Sequence, residues 1–197
     1  MPRFVSRFDF RRFPLAAAVV LAASPLAAEV CALNPVQTEL VDTYQLCASS
    51  VLPAGKFAYA PDALFAADPA GWCEGAPGPG EGAWLELRLP TPYPLRDFWL
   101  NNGYVRRGAD SFFENARIRK LRIETDTGFA ADFDVTNSHD AQLLRLPSFE
   151  TTARVRFTVL AVYPGSRYDD LCVDALWPDF EAIRSFEWAA EDGPEGH

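Results

Sequence analysis

Gly71–Leu89 reads GWCEGAPGPGEGAWLELRL, and its two halves demand different backbones. Gly71, Gly75, Gly78, Gly80 and Gly82, together with Pro77 and Pro79, forbid regular structure in the first half. In the second half Leu85, Leu87 and Leu89 alternate with Glu86 and Arg88, the period of two that marks a half-buried strand. The same grammar returns in YPGSRYDDLCV (Tyr163–Val173), another loop of aromatic, acidic and glycine residues leading into an apolar run. Each loop holds one cysteine, Cys73 and Cys172.

Working outward, the alternation persists. Phe98 and Leu100 alternate with Asp97, Trp99 and Asn101, and Leu121 and Ile123 with Arg122 and Glu124. Asp126-Thr127-Gly128 then reads as a hairpin turn before Phe129, Ala131, Phe133 and Val135. Leu144 and Leu146 follow, then Val155, Phe157, Val159 and Ala161 against Arg154, Arg156 and Thr158. Short strands between turns predict an all-β antiparallel sandwich or jelly roll. No βαβ unit occurs, which argues against a nucleotide fold.

The N-terminus has the form of a signal peptide over residues 1–28. Arg3, Arg7, Arg11 and Arg12 precede the apolar Pro14–Ala23, and Leu26-Ala27-Ala28 offers a cleavage site before Glu29. The apolar run is too short to span a bilayer. Export to the periplasm or the exterior follows as an expectation. The whole chain carries −9, and residues 1–28 a net +3, so the remainder stands at −12. Such acidity disfavours nucleic acid and anionic lipid as partners. Residues 29–56 read as an N-terminal extension, with Asn34-Pro35 opening a short helix over 35–48 whose face carries Leu40, Val41 and Tyr44. Residues 57–178 form the domain. Residues 179–197 form an acidic tail, with Phe180, Ile183 and Phe186 at helical spacing up to residue 188.

WCEGAPGPG–EGAWLEL, NNGY (Asn101–Tyr104), ENARIRKLRIE (Glu114–Glu124) and VYPGSRYDDLC (Val162–Cys172) together resemble one module. It is the discoidin-like domain found beside secreted bacterial NAD glycohydrolases, the NADase-type glycan-binding or translocation domain. That module is related to coagulation-factor type C (F5/8) and galactose-binding-like domains. The resemblance covers roughly Phe57–Pro178. It implies a discoidin-like sandwich that binds glycan through loops at one end, and it does not imply the NAD glycohydrolase reaction. Four cysteines in an exported chain suggest disulfides, with three pairings open. Loop equivalence in the family favours Cys73–Cys172, tying the two signature loops, with Cys31–Cys47 closing a local loop.

Other chemistries fit less well. A phosphate cradle needs a helix after the glycines, and here Trp84 begins a strand. Glu74, Asp169, Asp170 and Asp174 offer hard oxygen ligands that suit a structural calcium, or carboxylates that cap turns and pair with Arg117 and Arg167. No other cofactor is expected. As a glycosidase pair the carboxylates lack a legible separation. Ser111 and Ser166 lack a histidine partner, since His139 sits in a polar turn and His197 in the tail, so no enzyme is expected. Aromatic rings stack on pyranose faces while polar side chains bond hydroxyls. Trp72, Glu74, Asn102, Tyr104, Tyr163, Arg167 and Asp170 form the candidate ligand rim on that ground. Arg167 would be its donor fork toward vicinal hydroxyls or an acidic sugar. The expected function is a non-catalytic glycan-binding module whose partner is a glycan or glycoconjugate. The alternative is a structural or protein–protein interaction domain of the cell envelope, without a sugar site.

Overall fold

The computed structural model describes residues 28–34, 43–55, 57–64, 71–105, 111–179 and 182. Residues 1–27 of the expected signal peptide and the first part of the expected N-terminal helix, 35–42, lie outside them. So does the tail, apart from Asp179 and Ala182, where the Ala182 amide donates to Asp179 Oδ1 at 3.2 Å as at a helix N-cap.

Eight strands run β1 (Val30–Leu33), β2 (Gln45–Ala48), β3 (Trp72–Cys73), β4 (Trp84–Asn102), β5 (Arg117–Thr125), β6 (Ala130–Asp134), β7 (Gln142–Tyr163) and β8 (Cys172–Pro178). One 3-10 turn (Pro61–Leu64) and one helical turn, α1 (Ser111–Glu114), complete the described elements. Every pairing between these strands is antiparallel, ordered β1-β2-β4-β7-β5-β6, with β8 on β4 and β3 on β8, and a single parallel bridge joins Ala116 to Leu171.

β4, at 19 residues, would reach roughly 60 Å if straight, more than a domain of this size can flank. It therefore bends. Its register against β7 shifts between Arg88 and Tyr93, where Pro90 and Pro92 withhold ladder donors. The first half of β4 joins β2 and the end of β7, and the second half joins β8 and the start of β7. The two layers so formed face each other. Phe98, on the second half of β4, meets Phe157, on the second half of β7, edge to face at 5.2 Å. Leu46, Leu85, Leu87, Leu100, Leu121, Ile123, Val155 and Leu176 fill the space between. The alternation that predicted a sandwich is thus the alternation of core and outer face, although Glu86 and Asp97 on the outer face of β4 are themselves buried beneath arginines.

The N-terminal extension differs from expectation at its described ends. Residues 45–48 are strand rather than helix. Gln45–Ala48 pairs with Leu85–Arg88, and Val30–Leu33 pairs with Gln45–Ala48 beyond it. The first half of β4 would otherwise present an unpaired edge, and pairing it satisfies more backbone than a docked helix would. Tyr44, expected on the apolar helix face, is buried by a different geometry, and Leu46 is buried beside it.

Both disulfides are formed, Cys31–Cys47 across the β1–β2 pair and Cys73–Cys172 across the β3–β8 pair. The predicted Asp126–Gly128 turn joins β5 to β6, with Gly128 at φ 95°, a conformation glycine adopts without strain.

Candidate ligand-binding site

At one end of the sandwich the chain segments of the two signature loops meet. The Glu74 amide donates to the Leu171 carbonyl at 2.9 Å, and the Leu52 amide to the Cys73 carbonyl at 2.8 Å. The Ala116 amide donates to the Asp170 carbonyl at 3.0 Å, and the Arg167 and Tyr168 amides both reach the Glu114 carbonyl. Gly165 makes that closure feasible, because a Cβ there would lie 2.0 Å from the Tyr168 carbonyl oxygen. Beneath α1, Arg117 is 4% exposed and donates to the carbonyls of Phe112, Phe113, Asn115 and Pro164 and to Asn137 Oδ1. Burial lowers its pKa, and neutral carbonyl oxygens take the place of a carboxylate partner. Arg117 therefore pins α1 to the loop before Gly165.

These contacts enclose a cavity of about 180 Å³. Leu52 and the Cys73–Cys172 bridge form part of its wall, with the side chains of Tyr59, Tyr104, Tyr168, Glu114, Asp170, Asn115 and Ser111 around it. Tyr59 and Tyr104 meet edge to face at 6.2 Å. The Asn115 amide donates to the Ser111 carbonyl at 3.3 Å, and the Ser111 hydroxyl to the Tyr104 carbonyl at 3.0 Å. Burial, and then the charge of Asp169, raise the Asp170 pKa.

The seven predicted rim residues do not converge. Trp72 is fully buried and its indole donates to the Ser50 carbonyl at 2.9 Å. Asn102 is equally buried. Its amide donates to the Ile118 carbonyl at 2.7 Å and accepts from the Ile118 amide at 3.0 Å, replacing one rung of a sheet. Glu74 is 2% exposed, and one of its oxygens takes up the Ser50 hydroxyl and the Ala76 amide. Tyr163 is half-buried, and its hydroxyl donates to the Val135 carbonyl. Each of these four is occupied in holding the loops, which corrects the rim drawn from sequence. Tyr104 and Asp170 do line the cavity. Arg167 stands outside it, exposed, 3.3 Å from Glu114 Oε1 and stacked 5.0 Å from the centre of the Tyr168 ring.

Tyr59, Ser111, Glu114, Asn115 and Tyr168 were missed. Tyr168 and Glu114 lie inside the quoted motifs, so their spacing to Asp170 and Asn115 was available as a signal. Tyr59 lies in the loosely matching lead-in and carried none. The carboxylates offered for calcium are also dispersed. Asp174 faces His139 at 3.1 Å, Glu74 is turned under Ser50, and Asp169 is exposed. Among the described residues the one grouping of His, Cys, Asp or Glu at ligand distance is Glu29, Cys31 and Cys47, whose sulfurs are both in a disulfide.

A bent antiparallel sandwich with a loop-end cavity beside a covalent tie defines a discoidin-like domain. The family model for the NAD glycohydrolase translocation F5/8 type C domain matches residues 40–176, and the chain belongs to that family. Among solved structures the fold is similar to the family 32 carbohydrate-binding module of Clostridium perfringens NanJ, solved with galactose. The TM-score is 0.50 at 12% identity, over 68% of this chain and 92% of that one. A mycobacterial arabinofuranosyltransferase, AftD, matches with TM-score 0.50 at 17% identity, over 65% of this chain and 10% of the transferase. The Streptococcus pyogenes NAD+-glycohydrolase translocation domain matches with TM-score 0.42 at 16% identity, over 52% of this chain and 91% of that domain. No curated protein matches the sequence. Among the described residues no helix is long and apolar enough to cross a membrane.

Proposed function

We propose that this chain is an exported, non-catalytic glycan-binding module that holds one sugar residue of a glycan or glycoconjugate in the loop-end cavity. The observation that carries the reading is the cavity's wall, in which three tyrosines stand beside two carboxylates, an amide and a hydroxyl. Rings of that kind cover the C–H face of a pyranose while the polar groups bond its hydroxyls. The volume of about 180 Å³ lies below that of a pocket for a drug-sized ligand, which limits the bound portion to a single small ring. In this reading Tyr104 and Asp170 serve as ligand contacts together with Tyr59, Glu114, Asn115 and Tyr168, which line the same cavity.

The test is a glycan array probed with the labelled chain, followed by titration of any sugar that binds. Affinities in the micromolar to millimolar range are expected, together with loss of binding in Tyr168→Ala at an unchanged melting temperature. Silence across the array would overturn the reading. It would favour the second one, a structural or protein-interaction domain of the cell envelope. A specific observation supports that alternative, since Trp72, Glu74, Asn102 and Tyr163 are all engaged within the domain.

A further inference from the structure

The cavity has a sign. Among the described residues that wall it none is Lys, Arg or His, while Glu114 and Asp170 both contribute carboxylates. Glu114 already has a cation, since Arg167 pairs with it and lies over the ring of the adjacent Tyr168. That exposed pair demonstrates within this domain how a ring and a carboxylate together hold a positive charge. Asp170 has no such partner. Among the described residues neither a hydrogen bond nor an ion pair reaches its carboxylate, although it is half-buried. The like charge of Asp169 lies near enough to raise its pKa further, after burial itself. An incoming cation would meet an uncompensated carboxylate in a wall that also holds three tyrosines. An incoming anion would meet two carboxylates. This reverses the expectation that Arg167 would receive an acidic sugar.

We infer that the sugar this cavity selects carries a free amine, an unacetylated hexosamine whose ammonium is held between Asp170 and the rings of Tyr59, Tyr104 and Tyr168. The inference rests on the glycan-binding reading and narrows it. An ammonium donates up to three hydrogen bonds and is attracted to ring faces. An N-acetyl group removes the charge and adds bulk to a cavity of about 180 Å³.

The experiment is calorimetric titration of the full chain, a little below neutral pH, with glucosamine, N-acetylglucosamine, glucose and glucuronate. Glucosamine should bind at least tenfold tighter than the two neutral sugars, and glucuronate should not bind. Asp170→Asn should remove that preference while leaving the melting temperature unchanged or higher, because it deletes an unpaired, half-buried charge. Should Asp170→Asn fold poorly, Glu114→Gln serves as a second variant and should reduce the preference in part. Equal binding of glucosamine and glucose would overturn the amine inference and leave the sugar reading standing. Absence of binding by all four would overturn the amine inference, and the glycan array remains the separate test of the sugar reading.

Discussion

Glu74 places a carboxylate where a charge is badly served. One oxygen is bonded by Ser50 and Ala76, and the other is buried with no partner. Burial raises its pKa, and the hydrogen bonds from Ala76 and Ser50 offset this only in part. Glu74 therefore holds its proton more tightly folded than unfolded. The stability linked to that proton is complete below the ordinary glutamate range and is lost as pH rises through the raised folded value. Thermal melts of the wild-type chain should accordingly decline over that window, and Glu74→Gln should flatten the decline. A decline of the same size in the variant would assign it to other groups. Residues of this kind show why the site was only half legible. Trp72 and Asn102 have the composition of a sugar rim, and nothing in a sequence distinguishes an amide aimed at a ligand from one replacing a rung of a sheet. The difference lies in where Ile118 arrives, sixteen residues later.

Among the elements, the two disulfides tie very different lengths of chain, with separations of 99 residues for Cys73–Cys172 and 16 for Cys31–Cys47. In the chain-entropy account the longer loop contributes about 4–5 kcal/mol and the shorter about 3 kcal/mol. Replacing Cys73 and Cys172 together by alanine should thus destabilise the domain by about 1–2 kcal/mol more than replacing Cys31 and Cys47. Urea denaturation of the two double variants checks this, and an equal or reversed order would refute it. The bridging elements also mark the limit of pattern reading. Leu40, Val41 and Tyr44 have helical spacing, yet Gln45–Ala48 is a strand because the first half of β4 requires a neighbour. An element's own residues do not announce a vacancy elsewhere in the sheet. The alternating runs of β5 and β7 were legible because each turns one face to water and buries the other, while on β4 the polar alternates Glu86 and Asp97 are themselves buried, paired with Arg88 and Arg156 and with Arg96 and Arg145.

Taken as a whole molecule, the sandwich and its family were readable from the chain, because turn residues and period-two runs recur through residues 71–178. The bend that turns one sheet into two layers was not, since it depends on β4 and β7 shifting register together. That shared pairing also governs the order of events during folding. Asp126–Gly128 lets β5 and β6 meet across a short hairpin, whereas β4 meets β7 between residues as distant as Trp84 and Thr158. Pairings of such sequence separation form slowly, because the entropy of closing the intervening chain is lost before the contact rewards it. The cavity comes later still, as its walls arrive from Leu52, Tyr59, Tyr104, Ser111 and Tyr168. In refolding from denaturant, far-ultraviolet circular dichroism should recover first, with hydrogen-exchange protection of the Ala116 and Tyr168 amides, whose bonds close the loops around the cavity, lagging behind it. Coincident recovery would indicate that the loops assemble with the sheet. A lag would mean that every newly made copy passes through an interval in which the sandwich exists without its loop-end cavity.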